Sequence, residues 1–126
     1  MAKKNIEKEL PIKRYGYTIN QLLKHNEIFV LQEEENKYAI SEFEDKQLIS
    51  FWPSAEIALK NAVGSWEGYS AKSINIEEME LLLDIIEDKG WIMDFFPIQS
   101  KTGSLVMVDE FVKDLNSAYQ ELNKKS

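Results

Sequence analysis

The side chains able to do chemistry in this 126-residue chain are carboxylates, hydroxyls and a single imidazole. With no cysteine, disulfides, thiol nucleophiles and thiolate metal sites are excluded. His25 is the only histidine, and a general base needs a nucleophile or an orienting acid beside it, which the residues around it do not supply. Its place near the end of a helix suits a surface cation that complements the helix dipole. One histidine leaves no transition-metal donor set. Glu33-Glu34-Glu35 lacks the alternating ligands and central glycine of a calcium loop and reads as a solvated turn. The five glycines (Gly16, Gly64, Gly68, Gly90, Gly103) stand alone, so there is neither a phosphate-cradling loop nor a dinucleotide fingerprint, and no Gly-x-Ser-x-Gly elbow occurs. No catalytic residue, metal ligand or cofactor is assigned. A working carboxylate pair among the many acids would be selected only by tertiary geometry.

Two groups remain as candidate binding residues. Trp66 and Tyr69 follow a helix end loosened by Gly64 and Gly68, which makes them the aromatics best placed to stay exposed. Glu33, Glu34 and Glu35 form the densest acidic run. The other large aromatics, Trp52, Trp91, Phe95 and Phe96, sit at strand ends and read as core.

Positioning these residues requires one folded body. The length fits a single domain, and 44% apolar with 11% aromatic residues supplies a core. Residues 1–10 read as a flexible tail, 11–123 as the domain and 124–126 as a fraying end. Net charge is −7, yet residues 3–14 carry five bases against two acids. Seven acids against two lysines follow in 27–46, and six acids without a base in 77–88. An acidic exterior repels phosphate backbones, so no nucleic acid partner is expected and a basic protein would be attracted. No apolar run approaches the ~20 residues that span a bilayer, and no hydrophobic segment follows the basic N-terminus. A cytoplasmic protein without membrane contact is the expectation.

The elements follow from periodicity and punctuation. Helical spacing of Ile12, Tyr15, Ile19, Leu22 and Leu23 predicts a helix over 12–25 ended by Asn26. Strands are predicted at 28–31, 38–43 and 48–52, joined by polar turns as an antiparallel meander. Pro53 breaks the chain, and Ser54 caps a helix with Ala55, Ala58, Leu59, Ala62, Val63 and Trp66 on its core face. Residues 68–74 form a connection with a short extended piece at 72–74. Asn75 and Glu78 then cap a helix running to Lys89, with Met79, Leu82, Leu83 and Ile86 inward, widened by Leu81 and Ile85, and Gly90 closing it. Strands at 91–96 and 104–108 flank a turn at Lys101-Thr102-Gly103. Asp109 caps a last helix over 110–123 with Phe111, Val112, Leu115, Ala118, Tyr119 and Leu122 inward. The order α-βββ-α-α-ββ-α predicts an α+β fold, a mainly antiparallel sheet covered by helices.

Three of these features together resemble the small bacterial proteins of domain of unknown function 2750. They are the helix leading into Ile28-Phe29-Val30-Leu31, the Phe51-Trp52-Pro53 junction before an alanine-bearing helix, and Trp91-Ile92-Met93-Asp94-Phe95-Phe96-Pro97 with Gly103 and a strand behind it. They cover most of residues 12–122. The resemblance implies a single domain and transfers no catalytic residue.

The functional expectation is a non-enzymatic binding or regulatory module for a basic protein partner, with an immunity-type protein as one form. The alternative is a small-molecule binder or carboxylate-type enzyme with a cleft near Trp66, Tyr69 and the loop 97–103. A nucleic-acid mimic built on the acids between 33 and 45 is a third.

Overall fold

A computed structural model describes residues 5–99 and 101–124. Among them the chain forms an α+β domain with four helices and seven strands: α1 (Pro11–His25), β1 (Ile28–Glu34), β2 (Lys37–Tyr38), β3 (Ile40–Phe43), β4 (Lys46–Phe51), α2 (Ala55–Lys60), β5 (Ser70–Ile74), α3 (Ile76–Lys89), β6 (Ile92–Phe95), β7 (Ser104–Val106) and α4 (Val108–Lys124). Of the tail expected over 1–10, residues 1–4 lie outside the described residues. Ile6–Lys8 form a 3-10 turn whose Ile6 packs against Trp52 and its neighbours. Of the C-terminal tail, Lys124 closes α4, and 125–126 lie outside the described residues.

The strands form two sheets, β2-β1-β5 and β3-β4-β6-β7. The strand expected over 38–43 breaks at Ala39. Its first part pairs with β1 and its second with β4, so the chain passes from one sheet to the other there. The sheets are stitched a second time by a two-way backbone bridge between Phe29 and Trp52 (2.8 and 2.9 Å). Four of the five strand pairings are antiparallel. The exception is β4 with β6, which run parallel because the connection between them is a long crossover through α2, β5 and α3. β5 is fuller than the piece expected at 72–74. Ser-Ala-Lys-Ser-Ile has weak strand character alone, and five register pairs with β1 make it a strand.

Helices α1, α3 and α4 cover one face of both sheets. Tyr15, Ile19 and Leu22 of α1, Met79, Leu82 and Ile86 of α3 and Phe111 of α4 meet Ile28, Val30, Ile49, Phe51, Met93 and Phe95 there. Phe95 is the hub: Tyr15 meets it edge-on at 5.0 Å, and Phe51 and Phe111 stack on it at 5.2 Å. The widened stripes do not all face inward. Leu81 is 70% exposed, and Ile85, Val112 and Tyr119 also meet solvent, because only about one stripe of a helix can touch a flat sheet.

The helix expected to run past Ala55 toward Trp66 stops after six residues. Ser54 accepts a bond from the Ile57 N–H at its start, and the Asn61 side chain donates back to the Ile57 carbonyl at its end (2.9 Å). Val63 is extended, and Gly64 turns at φ +61 into a second 3-10 turn, Gly64–Trp66. Ala58 is buried, whereas Leu59 (49%) and Val63 (54%) are exposed, so the core-facing stripe assigned to this helix is corrected.

Local capping is where expectation and structure coincide. Asn26 adopts φ 56 and ends α1, and its side-chain oxygen also accepts the N–H of Ile76 at the start of α3. Asn75 and Glu78 form a reciprocal capping box, and Gly90 at φ 70 closes α3 with bonds from residues 90 and 91 to the Glu87 and Ile86 carbonyls. Helix α4 starts at Val108 rather than after Asp109, with Glu110 accepting the Met107 N–H at 3.2 Å. Asn75→Ala should lower stability by about 1 kcal/mol in urea denaturation. An unchanged midpoint would show that α3 is held by packing alone.

Candidate functional site

Strand alternation gives the four-stranded sheet a second face, turned away from the three covering helices. Ile49, Phe51, Met93 and Phe95 point to the helices, so Leu48, Ser50, Trp52 and Asp94 point the other way. Over this second face lies a cleft of about 330 Å³. Its wall on one side is the segment after α2, with Asn61, Val63 and Trp66, and on the other the loop after β6, with Pro97, Lys101 and Thr102. Phe43 stands on the β3 side.

The floor is polar where a sheet interior is ordinarily apolar. Ser50 and Asp94 are register partners on the parallel strands β4 and β6, roughly 4.8 Å apart at the backbone, and each is 2% exposed. The Ser50 Oγ is buried without a hydrogen-bond partner among the described residues. Asp94 Oδ1 accepts the Gly103 N–H at 2.7 Å. Burial pushes the Asp94 carboxyl up to about 6, opposed in part by that N–H and by the nearby Arg14 guanidinium. Arg14 itself is buried, and loss of water lowers its pKa against the pull of Asp94.

The walls are fixed by bonds that run through the loop after β6. Phe96 is fully buried at φ 61, a left-handed conformation rarely taken by a bulky side chain. Its N–H donates to the Phe51 carbonyl (2.7 Å), and its own carbonyl accepts from Arg14 Nε (3.1 Å). Arg14 also donates to the Glu9 carbonyl and lies over the Phe96 ring at 5.7 Å. Trp52, fully buried, donates its Nε1–H to the Pro97 carbonyl at 3.0 Å and meets Trp66 edge-to-face at 6.4 Å. Gln99 N–H donates to Asn61 Oδ1, tying the two walls together. Neighbours thus over-determine the strained residue, which sets the loop above Asp94.

The structure divides the residues singled out from the sequence. Trp66 is half-buried and lines the cleft. Tyr69 is half-buried, packs with the cluster around Trp52 and does not line the cleft. Glu33, Glu34 and Glu35 are exposed around the β1–β2 hairpin, apart from the cleft, with Glu34 paired to Lys37 at 2.7 Å. His25 is exposed at the end of α1, also apart from it. Among the described residues no group of three or more His, Asp or Glu could hold a metal ion. Sequence reasoning passed over Ser50 and Asp94. The available signal was a single polar residue inside each of two apolar strands, Leu48-Ile49-Ser50-Phe51-Trp52 and Trp91-Ile92-Met93-Asp94-Phe95-Phe96.

The family model described as "Protein of unknown function (DUF2750)" matches residues 15–115. The chain belongs to this family. The DUF2750 match spans every cleft-lining residue, from Ser41 to Thr102, so the site lies within the family domain rather than in an appendage. Comparison with curated proteins finds no match. Among the described residues, no helix of this DUF2750 chain is long and apolar enough to cross a membrane.

Proposed function

We propose that this DUF2750 protein binds a small polar molecule in the cleft over its four-stranded sheet. The observation that carries the reading is the unpartnered Ser50 hydroxyl, buried on the cleft floor beside the Asp94 carboxyl. A buried hydroxyl without a partner costs ~1–3 kcal/mol, which a ligand group returns on binding when it displaces the atoms that close the floor over it. The enclosed space is at the small end of ligand pockets, which run from ~300 Å³ upward. Aromatic walls with a few convergent polar groups complete the usual chemistry of such a site. Binding is favoured over acyl or glycosyl transfer because the floor offers one carboxyl and one hydroxyl, while His25, the single imidazole, lies elsewhere.

A thermal-shift screen against metabolites tests this reading, run in parallel on wild type and Ser50→Ala. The variant should be as stable as wild type or more stable, by up to about 1 kcal/mol, because an unsatisfied hydroxyl is removed. Ligands that raise the wild-type melting temperature should lose about tenfold in affinity on the variant. A screen without stabilising ligands, or ligands that stabilise both forms equally, would remove the cleft from consideration.

A second reading rests on the exposed Glu33 and Glu35, which, unlike Glu34, have no ion-pair partner among the described residues. A basic protein could dock on this hairpin, as an immunity-type protein would mask its target. Charge reversal at Glu33 and Glu35 should then abolish capture of that partner at low salt without altering ligand binding in the cleft.

A further inference from the structure

The charges around the cleft bear on which ligand it takes, an inference that rests on its being a ligand site. Asp94 Oδ1 is taken by Gly103, whereas no donor among the described residues reaches Oδ2. Among the described residues three charged side chains line the cleft: Glu42 and Asp94 against Lys101, which is exposed at the rim. Arg14, the remaining cation near Asp94, directs its Nε to Phe96 and one terminal nitrogen to Glu9, and it is not part of the lining. The apolar lining is aromatic in large part, with Trp52 and Trp66 crossed edge-to-face and Phe43 half-open at the rim. A desolvated carboxylate repels anions and attracts a cation through a charge-assisted hydrogen bond, and Trp66 and Phe43 in the lining give a flat cation aromatic surface to pack against. The overall charge of −7 favours the same sign of ligand during encounter.

We infer that the cleft selects a planar organic cation, an amidinium or aromatic ammonium, whose N–H groups meet Asp94 Oδ2 beside Ser50 while its flat body lies against Trp66. One substituted ring matches the space of about 330 Å³. Phosphorylated and carboxylated metabolites are excluded by Asp94, which would confront their charge at the floor.

Benzamidine, benzamide and benzoate share a shape and differ in charge and donors, so they isolate the effect. Each is titrated near neutral pH while the backbone amide signals of Ser50, Asp94, Gly103 and Trp66 are followed by NMR. Benzamidinium should bind with a dissociation constant of roughly 1 mM, as expected for a fragment. Benzamide should bind at least about tenfold more weakly, and benzoate should leave these signals unmoved. In Asp94→Asn the preference of benzamidinium over benzamide should vanish. Equal binding of all three probes, or a preference for benzoate, overturns the cation selection while leaving the cleft as a ligand site. Absence of benzamidine shifts at about 10 mM also overturns the selection. The parallel metabolite screen on wild type and Ser50→Ala then decides separately whether the cleft binds anything.

Discussion

Gly103→Ala should destabilise the protein by roughly 4 kcal/mol, near the top of the range for single substitutions. A Cβ at this position would overlap the Phe95 carbonyl oxygen and stand 2.8 Å from the Phe96 carbonyl carbon and oxygen. These are backbone atoms, so no rotamer change relieves the clash, and the end of β6 or the returning loop must move. Neither moves freely. Phe96 is tied to Phe51 and Arg14, Pro97 is tied to Trp52, and Phe95 sits among Tyr15, Phe51 and Phe111. Displacing residue 103 also withdraws the N–H from Asp94 Oδ1, so a variant that still folds should lose cleft binding. Urea denaturation gives the stability. A loss below about 1 kcal/mol would show that the chain does not pass Phe95 this closely.

Asp94→Asn should act in the opposite direction, raising stability at neutral pH while removing ligand selection. Burial holds the folded carboxyl at about 6, above its ordinary 3.8. Between those values the folded chain keeps a proton that the unfolded chain has released. Stability therefore falls as pH rises through this window and levels off above it. Two units of displacement correspond to about 3 kcal/mol at pH 7 relative to pH 4, an order-of-magnitude figure. Asparagine can accept the Gly103 N–H through its Oδ1 and carries no charge, so this contribution is absent from the variant. Subtracting the two pH profiles cancels most of the other titrations. The variant's advantage should grow from near zero at about pH 4 to roughly 3 kcal/mol at about pH 7. Parallel profiles would show that Asp94 ionises as an ordinary surface acid does. A residue whose removal stabilises the fold and weakens binding is the signature of a site kept for function.

The parts of the fold legible in the sequence are those set within a few residues. Asn26, Asn75 with Glu78, and Gly90 mark helix ends because capping bonds close within one turn. The strand cores of β1, β4 and β6 were readable from β-branched and aromatic runs. Helix α2 failed this treatment because its spacing suited a longer helix, whereas Asn61 folding back and Gly64 at positive φ ended it. Leu59, Val63, Leu81 and Ile85 were assigned inward by periodicity, but exposure depends on what lies opposite, which a one-dimensional pattern does not contain.

The amino-acid sequence by itself determined the α+β class, the helix caps, the aromatic core and the lack of thiol or multi-histidine chemistry. Only the tertiary structure decided that Ser50 and Asp94 stand together. They are 44 residues apart in number, and their meeting depends on the parallel register that the crossover through α2, β5 and α3 imposes on β4 and β6. Local propensity acts over a turn of chain, whereas a binding site is made where distant segments are forced into register.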